Sequence, residues 1–213
     1  MTFTTYHLSD FESMEQRFRT NFINSLSGFK SVNLVGTTDG QGQTNLAIFS
    51  QVFHLGANPA LIGMIVRPHS VSRGTLENLL ETGFFTLNHI RQEFYKQAHQ
   101  TSARYDVSEF DACGFTPEYS SLHPAPYVKE SRLKIGLQLE ETTDIKVNNT
   151  VLVIGRVIET LVPQDCISAD GYIDIEKAGT ITCSSLDSYH TTERLARLAY
   201  AKPGKEVREL LND

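Results

Sequence analysis

The sequence predicts a mainly β protein: a closed or nearly closed β-barrel with short helices covering its ends. Three observations carry that prediction. Apolar or alternating runs of strand length recur through most of the chain, turn residues separate them at spacings suited to antiparallel neighbours, and helical periodicity is confined to short stretches. At 213 residues the chain matches the usual length of one large barrel, and no internal repeat or low-complexity linker divides it. A single domain, with helical extensions at the amino and carboxyl ends, is the economical organisation.

Residues Thr2 to Tyr6 read as a loose arm, after which Ser9-Asp10 opens a helix that repeats Phe11, Met14, Phe18, Phe22 and Ile23 at helical spacing. The period then changes. Ser31 to Thr38 reads as a strand, Asp39-Gly40-Gln41-Gly42 as a hairpin turn, and Thr44 to Leu55 as one long return strand. Asn58-Pro59 breaks the chain before the apolar run Ala60 to Val66, which suits a strand buried on both faces. A polar loop from Arg67 leads into a helix of about eight residues, with Leu76, Leu79 and Leu80 on one face and Gly83 as its stop. Phe84 to Ile90 is the next strand. Glu93 to Ala98 reads as helical, and Ser108 to Gly114 as a short capped helix ended by glycine. Past Pro117, Pro124 and Pro126, strands return at Leu133 to Leu139 and Val151 to Thr160, joined by a turn at Val147-Asn148-Asn149. Ile181 to Cys183 gives one last short strand. The tail from Asp187 to Leu211 places Leu195, Leu198 and Ala199 at helical spacing.

Composition excludes several classes of function. Hydrophobic residues make up 40% and charged residues 21%, so the chain can bury a core and disorder is not expected. A net charge of −6 with no basic run argues against binding nucleic acid, which needs clustered Lys and Arg. The amino terminus lacks a basic segment followed by an apolar one, and no apolar run reaches bilayer length, so a cytoplasmic protein without membrane contact is expected. Cys113, Cys166 and Cys183 are too few and too dispersed for a disulfide framework or a CxxC site. The seven histidines show neither HxxxH nor HExxH spacing, and no metal is expected.

The stretch from Arg67 to Gly83 carries the most chemistry. Free N–H groups and the positive dipole end at a helix entrance favour an anion there. Ser70, Ser72, Thr75, Arg67 and Arg73 surround that entrance, and Gly74 lets the backbone come close. Together these are the donors that a phosphate needs. The alternative is an ordinary capped helix, and the loop alone leaves the two evenly matched.

A wider pattern separates them. Thr44-Asn45-Leu46-Ala47-Ile48-Phe49-Ser50, Asn58-Pro59, Arg67-Pro68-His69-Ser70-Val71-Ser72-Arg73-Gly74-Thr75-Leu76-Glu77-Asn78 and Thr82-Gly83-Phe84-Phe85-Thr86-Leu87-Asn88 follow one another in fixed order, with Ser108-Glu109-Phe110, Gly114-Phe115 and Lys129-Glu130-Ser131 after them. From about Phe29 to Thr160 this succession resembles the flavin reductase-like, FMN-binding split-barrel family, which includes flavoredoxin and the NAD(P)H:flavin oxidoreductases. The resemblance implies a homodimer of split barrels holding FMN at the subunit interface. It assigns the isoalloxazine and ribityl chain to Thr44, Asn45, Leu46, Ala47 and Ser50. The phosphate goes to Ser70, Ser72, Arg73 and Thr75, with Arg67 beside them, and Asn88 lies close to the cofactor. The family commonly has a proline where this chain has Ile48, and an acidic residue where it has Gly74.

The implied activity is oxidoreduction, with NADH or NADPH as hydride donor and flavin or another acceptor taking the electrons. A flavin carries the hydride and electrons itself, which fits the lack of a catalytic triad, and the catalytic residues remain unassigned. No GxGxxG fingerprint follows a strand, so a nicotinamide has to bind without a Rossmann domain. A noncatalytic FMN-binding or electron-carrier protein, paired with an electron-transfer partner, is the second reading. A structural split barrel without cofactor is the third.

Overall fold

The computed structural model describes residues 1–68 and 74–210. Ser70, Ser72 and Arg73 of the expected phosphate loop lie outside the described residues. In chain order the helices are α1 (Leu8–Ser13), α2 (Gln16–Leu26), α3 (Gly74–Thr82), α4 (Tyr95–Gln100) and α5 (Glu109–Cys113). The strands are β1 (Lys30–Ser31), β2 (Asn33–Thr38), β3 (Thr44–Phe49), β4 (Val52–Ala57), β5 (Ala60–Val66), β6 (Phe84–His89), β7 (Pro117–Glu118), β8 (Tyr127–Val128), β9 (Lys134–Ile145), β10 (Thr150–Leu161), β11 (Thr182–Ser184) and β12 (Ser188–His190).

Seven of these strands form an antiparallel sheet in the order β3-β2-β6-β9-β10-β5-β4. Three local hairpins supply six of them: β2–β3 around Asp39-Gly40, β4–β5 around Asn58-Pro59, and β9–β10 around Asn148-Asn149. Strands β3 and β4 stand at opposite borders of the sheet yet are joined by Ser50 and Gln51 alone. That linkage makes the sheet curl on itself as a split barrel. It also corrects the expected single strand from Thr44 to Leu55: the chain leaves β2 after Phe49 and pairs next with β5.

Alternation along β2 separates two cores. Leu34 joins Leu46, Ile90, Phe94, Phe110, Phe115 and Cys183 in a cluster beneath α4 and α5, whereas Val35 joins Met64, Val66, Phe85, Leu87, Leu137 and Val153. Helix α3 closes onto the second cluster with Leu76 and Leu79, both buried. Its third expected core residue, Leu80, is instead 55% exposed, because the buried face of α3 runs through Thr75, Leu76, Asn78 and Leu79 and position 80 turns past it.

The two ends depart further from expectation. The predicted helix from Phe11 to Ser25 is broken by extended backbone at Met14 and Glu15, and neither α1 nor α2 has a buried residue. Tyr6, Phe11, Phe18 and Phe22 pack ring against ring, Tyr6 on Phe11 and Phe18 on Phe22 stacked and the other pairs tilted. Among the described residues from 187 to 210 no helix forms. The tail is extended: Leu198 bridges Glu209, Arg197 lies over the Tyr172 ring at 4.1 Å, and Arg194 pairs with Asp174 at 3.1 Å. Its apolar residues have nothing to bury against, so the helical spacing of Leu195 and Leu198 gains nothing.

His89, at the end of β6, hydrogen-bonds the Thr180 hydroxyl at 3.0 Å, and burial pushes its pKa down to about 4 from an ordinary 6.5. The unfolded chain therefore binds the extra proton between pH 6.5 and 4, so stability is intact above that window and falls on acidification through it. The expected loss across the whole window is about 3 kcal/mol. Urea unfolding of His89→Gln at pH 7 and pH 4.5 should show a flatter dependence than the native chain; an equal slope refutes the assignment.

Candidate functional site

The barrel brings the second half of the first hairpin against the entrance of α3. Residues 45, 47 and 49 of β3 share the face of Val35, the face that α3 covers. Asn45 Nδ2 donates to Thr75 Oγ1 at 2.9 Å and to Thr37 Oγ1 at 3.3 Å, and Asn78 Nδ2 donates to the same Thr37 oxygen at 3.2 Å. Thr37, Thr75 and Asn78 are buried. Two stretches 30 residues apart in sequence are thus locked together by amides and hydroxyls, with the hydroxyl proton of Thr75 left to serve as a donor.

Gly74 explains why the entrance can sit so close. A Cβ at this position would lie 2.8 Å from Asn45 Oδ1. Any side chain at this position is incompatible with Asn45 in its present orientation. The close contact of Gly74 with Asn45 sets the amino-terminal turn of a nine-residue helix directly against β3, and free N–H groups at such an entrance favour an anion.

The other expected ligands fall into three groups. Thr44 and Leu46 are engaged by α5: the Thr44 hydroxyl meets Ser108 Oγ at 2.8 Å, and the Leu46 N–H donates to Glu109 Oε2 at 3.1 Å. Ala47 and Ser50 remain half-buried on the border strand, and the Ser50 hydroxyl lies beside the Cys183 thiol. Arg67 is exposed one residue beyond β5; next to it Pro68 lines a groove with Asp144 to Val151 of the β9–β10 hairpin. That groove includes neither Asn45 nor Thr75.

Asn88 turns inward. It has no solvent exposure; Nδ2 donates to Leu34 O at 3.0 Å and to Thr86 Oγ1 at 2.9 Å, while Oδ1 accepts from Val128 N at 2.9 Å. Its polar atoms bind β2, β6 and β8 together behind the site.

Sequence reasoning missed the side chains that steady the site. Thr37 was legible in principle, because the Asp39-Gly40 hairpin puts it opposite Asn45. Glu109 gave no local signal, since its partner lies 63 residues away. The cysteines are all buried, and burial raises each thiol above its ordinary pKa, which keeps them protonated. No metal-binding group of His, Cys, Asp and Glu occurs among the described residues. Nor is any helix there long and apolar enough to cross a membrane.

Residues 26–176 match the model of the flavin reductase like domain. This chain belongs to that family. Within the flavin reductase-like fold, the chain is 51% identical to a protein from Shewanella frigidimarina NCIMB 400 described as a flavin reductase with split barrel domain. That match covers 93% of this chain and all of the other, with a TM-score of 0.90. It shares its fold with flavoredoxin of Desulfovibrio vulgaris (Miyazaki F), at 22% identity over 83% and 92% of the two chains and a TM-score of 0.68. It is also 27% identical over 114 residues to an uncharacterized protein of Aquifex aeolicus (strain VF5). That stretch is 52% of this chain and 58% of the relative's length. The chain is therefore a flavin reductase-like split-barrel oxidoreductase in kind, and the junction of β3 with α3 is its candidate flavin site.

Proposed function

We propose that this chain is an FMN-dependent oxidoreductase that accepts hydride from NADH or NADPH and passes electrons to free flavin or another acceptor. The observation that supports the reading is the direct contact of Asn45 on β3 with the Gly74-Thr75 entrance of α3. When bound, FMN supplies the hydride and electron chemistry. The chain's own residues position it. The α3 entrance and Thr75 would hold the phosphate, with Ser70, Ser72 and Arg73 from the preceding loop and Arg67 at its base. Asn45, Ala47 and Ser50 would face the ribityl chain and ring; Thr44 and Leu46 would present that edge of β3 while held by α5. Asn88 acts from behind, fixing the strands on which the site is built.

The active form in this reading is a cytoplasmic homodimer with FMN between subunits. Apolar surface supports it: Phe18, Ile23 and Leu26 on α2, and Leu195, Leu198 and Tyr200 in the tail, are all exposed. The decisive experiment is the visible spectrum of the purified protein after FMN reconstitution, followed by anaerobic addition of each nicotinamide. Flavin absorbance that bleaches with NADH or NADPH is expected. Failure to retain or bind FMN overturns the proposal; bound flavin that neither nicotinamide reduces favours an electron carrier instead.

A further inference from the structure

Strand β3 is a border strand, and its outer edge is not left bare. In its ladder with β2, Asn45, Ala47 and Phe49 lie opposite Thr37, Val35 and Asn33. The Leu46 N–H points away from β2, since it reaches Glu109 Oε2 at 3.1 Å. By the period-two alternation of an antiparallel ladder, Thr44, Leu46 and Ile48 turn their peptide groups outward, and Asn45, Ala47 and Phe49 turn theirs toward β2. An unpaired edge of this kind invites a foreign strand or a ligand.

The start of α5 takes up half of it. Ser108 caps the helix by accepting from Phe110 N at 3.3 Å, and the same hydroxyl meets Thr44 Oγ1 at 2.8 Å. Glu109, the next residue, accepts the Leu46 amide. Phe110 is buried against Leu46 in the core beneath, and Gly114, in the left-handed region at φ 71°, ends the helix one turn later. The helix is thereby pinned from below by an aromatic ring, and it pins the strand edge from the side with two adjacent polar groups. The clamp ends at Leu46.

We propose that Ser108 and Glu109 are positioning residues that hold β3 in register for the flavin, leaving the edge from Ile48 to Ser50 for the ring. This rests on the FMN reading above. Neither residue carries out chemistry. Glu109 acts as a hydrogen-bond acceptor in place of a neighbouring strand, so what matters at this position is an acceptor at the right reach. That distinguishes it from an acidic residue that merely complements the first turn of α5, for which any carboxylate serves and an amide does not.

The test is FMN titration, followed by quenching of flavin fluorescence, on the native chain, Glu109→Gln, Glu109→Asp and Glu109→Ala, with circular dichroism as the control for folding. Glutamine keeps an acceptor at the same reach and should bind FMN within about threefold of native, whereas alanine should weaken binding roughly tenfold or more, as expected for a strand donor left without its partner. The contrast between alanine and glutamine decides. Glutamine as weak as alanine overturns the proposal, as does alanine that binds within threefold of native. Should the alanine variant not fold, aspartate takes its place: one methylene shorter, it should bind roughly tenfold more weakly, and native-like binding by aspartate overturns the proposal. A native chain that fails to bind FMN overturns the functional reading itself, a separate result from any difference among the variants.

Discussion

Asn88→Leu is expected to lower the unfolding free energy by about 4 kcal/mol. Leucine has the same number of side-chain heavy atoms and the same branch point as asparagine, so no cavity is created and lost packing is not the cause. The loss comes from three hydrogen bonds: two donated to Leu34 O and Thr86 Oγ1, and one accepted from Val128 N. The last matters most. Val128 is fully buried, and without Asn88 its N–H faces a side chain that cannot accept; leaving a buried donor unmade costs roughly 1–3 kcal/mol by itself. Urea unfolding should show a lower midpoint at an unchanged slope. A loss below about 1 kcal/mol would mean that the β8 segment rearranges freely, contrary to its place between β6 and the core.

Gly74→Asp should weaken FMN binding about thirtyfold while leaving the fold as stable as before, so affinity and stability part company. The two effects have different origins. A Cβ at 2.8 Å from Asn45 Oδ1 turns the asparagine away from Thr75 and Thr37, which costs roughly 1 kcal/mol of organisation in the site. A carboxylate in the first turn adds roughly 1 kcal/mol of repulsion toward a phosphate there, although the same charge favours the helix itself. Together, about 2 kcal/mol corresponds to about thirtyfold in affinity. Gly74→Ala isolates the first effect and should fall between aspartate and native. Fluorescence titration and thermal unfolding on the same samples give both readings; aspartate binding within threefold of native would refute the placement of the phosphate.

Much of this architecture was legible before any coordinates, and the legible parts share a cause. The Asp39-Gly40 hairpin, the strand Ala60–Val66, α3 with its glycine stop and α5 with Ser108 and Gly114 at its ends all rest on signals within a few residues of themselves. The expected burial of Ala60–Val66 on both faces holds only at Gly63, Met64 and Val66, and Ala60 is exposed. Where the deciding partner lay far away, the sequence misled. Only the polar pair Ser50-Gln51 interrupts the apolar residues there, and so short a break does not reveal that Val52 pairs with Met64 at the other border. The tail has a helix's spacing but no surface on which to spend it, and Arg194 and Arg197 secure it in extended form to Asp174 and Asp170. At the site, the family order of segments brought Asn45 and Thr75 into one reading. Atom-level roles were another matter: the inward turn of Asn88 and the capture of the Leu46 amide by Glu109 depend on contacts across 40 and 63 residues.

The link at Ser50 and Gln51 has a mechanical meaning. Every other seam of the barrel is a ladder, and opening one breaks hydrogen bonds worth roughly 1 kcal/mol each. Between β3 and β4 no ladder exists among the described strands; the borders are joined by peptide bonds through two residues. Widening that seam breaks no β3–β4 ladder, although Gln51 is itself tied to β5, its carbonyl accepting from Ile65 N at 2.9 Å. Along that seam the wall is held not by a partner strand but by side chains: Asn45 to Thr75, and Ser108 and Glu109 of α5 to Thr44 and the Leu46 amide.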